Sequence, residues 1–270
     1  ATDRASAPVE GEADFPVPPA EMGVVRLRQN ILSESSAGMI ATYGDPLDRE
    51  SWLAGADFTY RTSEFREDKN LAAGAWFVTM DRNDLDGDKN AYGGQLAYPN
   101  DILDVGLTYL RIGDGFDPAL GFVHRTGHIY DAAAEYNIRP EGESMFRRIV
   151  FTGSYFLAQD PDGRLESYLG VAKPLDFLFE SGDRVTVFTE FTGENPGESF
   201  DVFDSPEKTV ELPAGKYEYT RYGLQGILAP KRRVSGELTW STGDFYDGTM
   251  QSIEASLVLK PWSLLTLSGA

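Results

Sequence analysis

The chain has 270 residues, 41% of them hydrophobic and 12% aromatic, so it can bury an apolar surface and is not of disordered composition. Its formal net charge of −19 argues against nucleic-acid binding, because a phosphate-binding surface needs clustered Lys and Arg. The absence of cysteine excludes disulfides and thiolate chemistry, and no apolar run approaches the roughly 18 residues that a membrane helix needs.

Residues 1–22 are polar, acidic and proline-rich, without a hydrophobic segment of signal-peptide type, and we predict a linker or long loop there. Residues 23–270 alternate apolar and polar side chains, which is the two-residue period of β-strands. No stretch of ten residues or more has the period of a helix. The predicted strands are 24–31, 37–43, 52–62, 72–80, 91–98, 103–110, 129–139, 148–157, 165–179, 185–192, 217–227, 233–240, 253–259 and 263–268.

The connections between these predicted strands alternate between short and long. Short ones at 33–36 and 181–183 contrast with long or polar ones at 113–127, 193–216 and 241–248. This alternation is typical of an up-and-down outer-membrane barrel, with tight turns at one end and larger loops at the other, and a Greek-key sandwich would not alternate so regularly. We therefore predict an all-β fold: an antiparallel up-and-down transmembrane β-barrel of about fourteen strands. The last strand stops without a terminal turn, so we expect an incomplete barrel that is cut at both ends.

The polar faces of the predicted strands carry both signs of charge, as Asp57 and Arg61 do in one segment and Arg233 and Glu237 do in another. Ion pairs that cross a polar lumen would account for this mixture. The apolar faces combine small residues with Tyr and Trp near strand ends, which is typical of the aromatic girdles at membrane interfaces. In the alternative, a soluble β-sandwich, the apolar faces form a dry core and the charged faces meet water.

Residues 111–125, RIGDGFDPALGFVHR, interrupt the strands with a segment whose glycines and Asp-Pro step predict a structured connection. The alternation of loop lengths places it among the external loops. We expect it to fold into or across the barrel mouth as a plug, with Phe116 and Phe122 packed inward and the carboxylates bonded to backbone or arginine. Ligand contact is the alternative role. The candidate binding residues are Asp114, Phe116, Asp117 and Arg125.

Other segments with possible chemistry give weaker patterns. Residues 83–90, NDLDGDKN, resemble a calcium loop, but alignment on its glycine places Arg82 at position 1 and Gly93 at position 12, where an EF-hand needs acidic ligands. His124 and His128 are four residues apart in a predicted loop and strand, with no third ligand in view. No nucleophile elbow and no phosphate-binding glycine loop occur. We predict no metal site, no cofactor and no catalytic residue.

Three stretches together resemble a bacterial outer-membrane β-barrel family of unknown function. They are VVRLRQNILSESSAGMIAT at 24–42, the pattern G-x-x-F-x-P-x-x-G-F-x-x-R at 113–125, and GDFYDGTMQSIEASLVLKPWSLLTLS at 243–268. The resemblance implies a barrel in the outer membrane of Gram-negative bacteria, in contact with the lipid bilayer and lipopolysaccharide. It also implies an upstream module similar to family-nine carbohydrate-binding modules, which would bind any glycan partner. No catalytic residues are established for the family, so none are carried over.

Three functions remain open from the sequence. The first is an outer-membrane β-barrel that acts as a channel or as the membrane anchor of a carbohydrate-binding module. The second is a component of a glycan-active hydrolase, which would need converging carboxylates in a lumen cleft. The third is a soluble periplasmic β-sandwich or adhesin. The β-barrel domain of the first hypothesis spans residues 23–270.

Overall fold

The computed structural model describes residues 20–47, 50–205, 208–262 and 265–269. In these ranges no helix is long and apolar enough to span a membrane. The linker predicted at 1–22 lies outside the described residues except for its last three positions. The strands are β1 (Gly23–Ile31), β2 (Ser35–Tyr43), β3 (Ser51–Phe65), β4 (Lys69–Arg82), β5 (Asn90–Pro99), β6 (Leu103–Ile112), β7 (Gly127–Ile138), β8 (Phe146–Gln159), β9 (Leu165–Phe179), β10 (Arg184–Glu194), β11 (Phe200–Ser205), β12 (Lys208–Leu212), β13 (Tyr217–Leu228), β14 (Val234–Phe245), β15 (Gly248–Trp262) and β16 (Leu265–Gly269).

Fourteen of these strands form one antiparallel sheet, in the order β1 to β10 followed by β13 to β16. Except for β10 and β13, neighbours in the sheet are also successive strands along the chain, so the prediction of an all-β, up-and-down meander with fourteen strands is confirmed. β11 and β12 form a separate hairpin inside the connection from β10 to β13, which the sequence pattern did not predict. Within the described residues β1 and β16 are the two ends of the sheet, so the sheet is open.

The alternation of connection lengths is confirmed only in part. The connections at 113–126 and 195–216 are long, and the one at 180–183 is short. The predicted long connection at 241–248 is wrong, because β14 continues to Phe245 and β15 begins at Gly248. At this end β14 pairs with β15 as far as Phe245 and Gly248, while the Phe245 ring contacts Tyr219 of β13 on its other side.

The chain forms two compact units, each with its own packing. The first contains residues up to Tyr98 together with Leu107–Tyr130 and Gln159–Arg164, and the second contains Pro99–Gly106, Asp131–Ala158 and the residues from Leu165 onward. The first unit has a buried apolar cluster formed by Met80, Ala91 and Phe116. Partly buried side chains pack around this cluster, namely Leu53, Trp76, Val78, Leu85, Ile112 and Val123.

Large apolar side chains of the first unit line up on one side of the sheet, because directly opposed residues of an antiparallel pair point to the same side. Ala56 of β3 opposes Met39 of β2 and Phe77 of β4, and Phe77 in turn opposes Tyr92 of β5. Met39 is 63% exposed and Phe77 is 47% exposed. We call this side of each strand the apolar face and the opposite side the polar face.

The second unit repeats this arrangement. Leu224 of β13 opposes Trp240 of β14, which opposes Ile253 of β15, and all three side chains are exposed. Its buried side chains include polar ones, such as Asp176 and Thr186. On this face Leu and Ile, which are among the most often buried residues of water-soluble domains, are thus exposed, whereas Asp176, of a residue type that is mostly exposed, is buried.

Candidate functional site

The loop between β6 and β7, residues 113–126, docks against the loop between β4 and β5, and we call it the plug loop. The backbone N–H of Gly113 donates to the carbonyl oxygen of Asn90 at 2.9 Å, and that of Gly115 donates to the carbonyl oxygen of Asp88 at 3.1 Å. A Cβ atom at Gly113 or Gly115 would overlap the backbone carbonyl of Asp88 or Asp86. Glycine is therefore required at both positions by the close approach of the two backbones.

A buried arginine at the end of β4 links the two loops electrostatically. The Arg82 side chain is 6% exposed, and its Nε atom lies 2.7 Å from a carboxylate oxygen of Asp84. Its Nη2 atom lies 2.8 Å from a carboxylate oxygen of Asp117, and its Nη1 atom donates to the Asp117 carbonyl oxygen at 3.0 Å. The guanidinium thus holds both the side chain and the backbone of the plug loop, which is the forked geometry to which arginine is suited.

A second set of contacts is centred on Asp88, which lies in the loop between β4 and β5. Its carboxylate pairs with Arg111 and accepts hydrogen bonds from the side chain of Asn90 at 2.7 Å and from the backbone N–H of Asn90 at 3.1 Å. The Arg111 guanidinium, more than the other contacts, holds the pKa of the Asp88 carboxyl below its usual range. The Asp114 carboxylate of the plug loop accepts a hydrogen bond from the backbone N–H of Asp88, with 2.7 Å between nitrogen and oxygen.

Phe116 fixes the plug loop to the polar face of the sheet. Its ring is buried against Met80 and Ala91, on the side of β4 opposite to Phe77. The expectation that Phe122 also packs inward is wrong, because Phe122 is 78% exposed and makes an edge-on contact with His124. Val123, the next residue, packs beside the buried cluster instead.

The four predicted candidate residues therefore occupy different environments. Asp114 and Asp117 lie at the contact between the two loops, and Phe116 lies in the apolar cluster below them. Arg125 is exposed, and the arginine that holds Asp117 is Arg82. These contacts all lie within the chain, so each of the first three residues has a clear structural task, and a role in ligand binding stays a prediction.

A small pocket of about 160 Å³ opens on the polar face of the first unit. The indole of Trp76 lines it together with groups that donate or accept hydrogen bonds, namely Asp57, Thr59, Gln95 and Thr108. An aromatic side chain among such groups suits a small polar molecule better than an apolar one.

Ion pairs occur on the polar face in both units, so the predicted mixture of charges is confirmed, with partners on different strands. In the first unit Arg26 of β1 reaches Asp57 of β3 at 2.5 Å. The pair crosses β2 at Gly38, where an added Cβ would lie 2.7 Å from both side chains. In the second unit Arg221 of β13 pairs with Glu190 of β10 at 3.3 Å.

Three of the residues considered for metal binding have other partners. His128 Nδ1 lies 3.0 Å from the hydroxyl oxygen of Tyr109. Asp84 and Asp88, from the segment that resembles a calcium loop, pair with Arg82 and Arg111. No group of three or more His, Cys, Asp or Glu side chains in the described part of the chain is arranged to hold a metal ion.

An aromatic cluster in the second unit was not predicted from the sequence. The Tyr246 hydroxyl donates to Glu194 at 2.7 Å, and the Tyr219 hydroxyl to the same carboxylate at 3.3 Å. The Tyr246 ring also contacts Phe200, Tyr217 and neighbouring Phe245, and desolvation chiefly raises the pKa of Tyr246. The one sequence signal for it is the density of aromatic residues at 217–219 and 245–246.

Arg82 and Arg111 were also missed as functional candidates, although Arg82 follows closely after the predicted strand 72–80 and Arg111 is the first residue of the predicted connection 111–125. Their position at strand ends beside acidic loops was the available signal.

A scan against protein-family models, a search of the curated proteins and a search of the solved structures each gave no match to this chain.

Proposed function

We propose that the chain forms the wall of a transmembrane β-barrel in a bacterial outer membrane, with the apolar face toward lipid and the polar face toward the lumen. The observation that carries this proposal is the inverted burial of the sheet. Exposed residues such as Phe77, Leu238 and Ile253 lie in mid-strand, whereas Asp176 is only 1% exposed. In water, each large apolar side chain left exposed forgoes about 1.5–3 kcal/mol of burial free energy, and lipid removes that cost.

The sheet topology supports a barrel over a sandwich. A sandwich needs a second sheet to cover the apolar face of the first. In the described ranges the only other sheet is the short hairpin of β11 and β12. Strands of 9 to 15 residues, as in β1 to β4, are long enough for a tilted strand to cross the hydrocarbon region, which takes about 9–11 residues.

Closure is the part of the proposal that goes beyond the open sheet. The outer edges of β1 and β16 carry backbone groups that must be paired if the sheet lies in a membrane, because unpaired N–H and C=O groups are costly in lipid. We propose that these edges are paired in the membrane, either with each other or through further strands.

The ion pairs of the polar face then line the lumen, and the plug loop narrows it. Phe116 places the loop against the polar face, Arg82 holds it at Asp117, and Arg111, just before the loop, pairs with Asp88 of the β4–β5 loop. Such a barrel acts as a channel with a restricted lumen, or as the membrane anchor of a carbohydrate-binding module. A measurement of ion conductance distinguishes these two roles.

Refolding of the 270-residue chain from urea tests the membrane proposal. We expect folding in detergent micelles or lipid vesicles, a shift in gel migration between unheated and boiled samples, and no folded monomer in buffer alone. Phe77→Lys places a charge on the apolar face, and it should block vesicle insertion at a cost of about 2–4 kcal/mol. Gln95→Lys, on the polar face of the next strand, is the matched control and should insert normally. A folded, detergent-free monomer would rule the proposal out.

Planar-bilayer recording tests the channel version. If the plug loop restricts the lumen, the Arg82→Gln variant should conduct more than the unmodified protein, because its loop is released. Insertion without conductance in both proteins would leave the anchor role alone.

A further inference from the structure

An apolar groove of about 640 Å³ lies on the apolar face of β13 to β16 in the second unit. Small residues make room for it, notably Gly226 and Ala255. A Cβ atom added at Gly226 would meet no atom within 4 Å, so the space beside this strand is open. The walls are leucine side chains, contributed by Leu228, Leu238, Leu257, Leu259 and Leu267.

A cluster of basic residues lies at one end of this groove, and we call it the basic turn. It consists of Lys231, Arg232 and Arg233 in the β13–β14 connection and Lys260 in β15. The pair of Leu228 and Gly236, which lines the groove, is the last pair before that connection. Lys260 is tied to the turn by its side chain, whose Nζ atom donates to the carbonyl oxygen of Pro230 at 2.6 Å. The cluster is notable in a chain whose net charge is −19.

Two of the four charges remain available for an external partner. Arg232 pairs with Asp183, a residue of the β9–β10 turn whose pKa is lowered to about 2, chiefly by the Ala229 backbone N–H and then by Ser181 and Arg232. Lys231 and Arg233 have exposed side chains, and neither forms an ion pair with any described residue.

We propose that the groove and the basic turn bind one anionic phospholipid, with an acyl chain in the groove and the phosphate beside Lys231 and Arg233. The inference rests on the proposed membrane location, and it adds a specific lipid class to it. Burial of an acyl chain against leucines supplies the apolar part of the binding, and basic residues beside a membrane surface attract anionic headgroups. Trp262, which is 62% exposed in β15, has the amphipathic ring that is enriched at membrane interfaces.

Native mass spectrometry of the detergent-solubilised chain tests the proposal. Titration with dioleoylphosphatidylglycerol should show one tightly bound lipid, and dioleoylphosphatidylcholine, with the same acyl chains and no net charge, should bind more weakly. Inorganic phosphate should not compete, because it lacks the acyl chain. The double variant Lys231→Gln/Arg233→Gln should lose about thirtyfold in affinity for the anionic lipid, which corresponds to about 1 kcal/mol for each basic residue.

The matched control for charge is Arg139→Gln/Arg147→Gln. It also removes two positive charges, Arg139 in the β7–β8 connection and Arg147 at the start of β8, which are exposed but pair with Asp101 and Glu180. This control should bind the anionic lipid as the unmodified protein does. Equal losses in both double variants would show a general charge effect and overturn the proposed site.

A second pair of variants tests the groove. Gly226→Leu fills the open space with a side chain and should weaken binding of the anionic lipid at least fivefold. Gly153→Leu is its control, because Gly153 of β8 also has no atom within 4 Å of an added Cβ. An unchanged affinity in Gly226→Leu would contradict seating of the acyl chain in this groove.

The test separates failure of the site from failure of the membrane proposal. A chain that inserts into vesicles but binds the two lipids equally would overturn the lipid site alone. A second copy of the chain seated in the groove would appear as a dimer that Gly226→Leu dissociates, and this result would also overturn the lipid site. A chain that folds without detergent would overturn both proposals.

Discussion

The plug loop of the first unit and the β14–β15 turn of the second unit lie in segments that the sequence predicts to be loops, yet they are fixed in different ways. Backbone contacts, the guanidinium of Arg82 and one buried ring, Phe116, hold the plug loop. The turn has two residues, Tyr246 and Asp247, and the Tyr246 ring lies among other aromatic rings above Glu194.

This difference determines how each region responds to change. The plug loop depends on few side chains, two of them charged, so a single substitution or a change of charge should release it. The aromatic cluster spreads its contacts over several rings, so no single hydroxyl is essential. Tyr246 has a φ of 51°, a left-handed conformation that is uncommon outside glycine, and the surrounding ring contacts hold it there.

The largest effect is expected from Phe116→Ala. Removal of the one buried ring of the plug loop leaves a cavity beside Met80 and Ala91, and we expect a loss of about 3 kcal/mol in the free energy that holds the loop in place. Limited proteolysis of the plug loop in micelles, at rising urea concentration, measures this loss. Phe122→Ala removes an exposed ring from the same loop and is the control, with an expected change below about 0.5 kcal/mol.

The next effect is expected from Arg82→Gln. The substitution leaves Asp84 and Asp117 without their buried partner, which in a fully buried pair costs about 3–5 kcal/mol. The Asp117 side chain is 62% exposed, so water compensates in part and we expect about 2 kcal/mol. The same proteolysis assay should show the loss, whereas Arg66→Gln, which removes an exposed arginine from the β3–β4 turn of the same unit, should change protection much less. Equal sensitivity of these two variants would contradict the assignment of Arg82 as the residue that holds the loop.

A smaller effect is expected from Tyr246→Phe in the aromatic cluster. The substitution removes one hydrogen bond to Glu194, while the Tyr219 hydroxyl and the ring contacts remain. We expect a loss of about 1 kcal/mol in the unfolding free energy of the second unit. Urea unfolding in micelles, followed by near-ultraviolet circular dichroism, measures it. A loss as large as that of Phe116→Ala would show that the two regions do not differ in the way described.

The smallest effect, and the one that separates the regions by sign, is expected from pH. The pKa of Asp88 is lowered, so its contribution to holding the plug loop is fully present above about pH 4 and is lost as the pH falls through the lowered value. The pKa of Tyr246 is raised, so its contribution is fully present below about pH 10 and is lost only as the pH rises through the raised value. Brief hydrogen-exchange labelling at several pH values should therefore show the plug loop opening in acid and the aromatic cluster opening in alkali. Opening of both in acid would contradict this assignment.

Much of the strand pattern was predictable because alternation is local. A strand turns successive side chains to opposite sides, so residues 52–62 show their two faces in the sequence itself. The same reasoning failed at 241–248, where Ser, Thr, Gly and Asp are typical of loops. There, pairing with β15 overrides the local preference and extends β14 to Phe245, and Phe245 and Tyr246 also pack on Tyr219.

The candidate site was predictable in outline and not in its partners. The glycines and the Asp-Pro step indicated a structured connection at 113–126, and Asp114, Phe116 and Asp117 do fix it. The prediction that Phe122 packs inward beside Phe116 was wrong. A loop sequence by itself does not show which of two aromatic rings will be buried. The position of Arg82 at a strand end was a signal, but the sequence did not show that it would pair with Asp117, 35 positions later.

The sequence by itself determined the order, number and two-sided character of the sheet strands, because backbone geometry imposes the two-residue period wherever the chain is extended. Only the tertiary structure decided which face is exposed, which arginine meets which carboxylate, and how the plug loop is seated. These depend on residues far apart in the chain, such as Arg26 and Asp57, which become neighbours only when three strands pair in register. The exposed apolar face, which carries the proposal of a membrane barrel, is a property of that pairing.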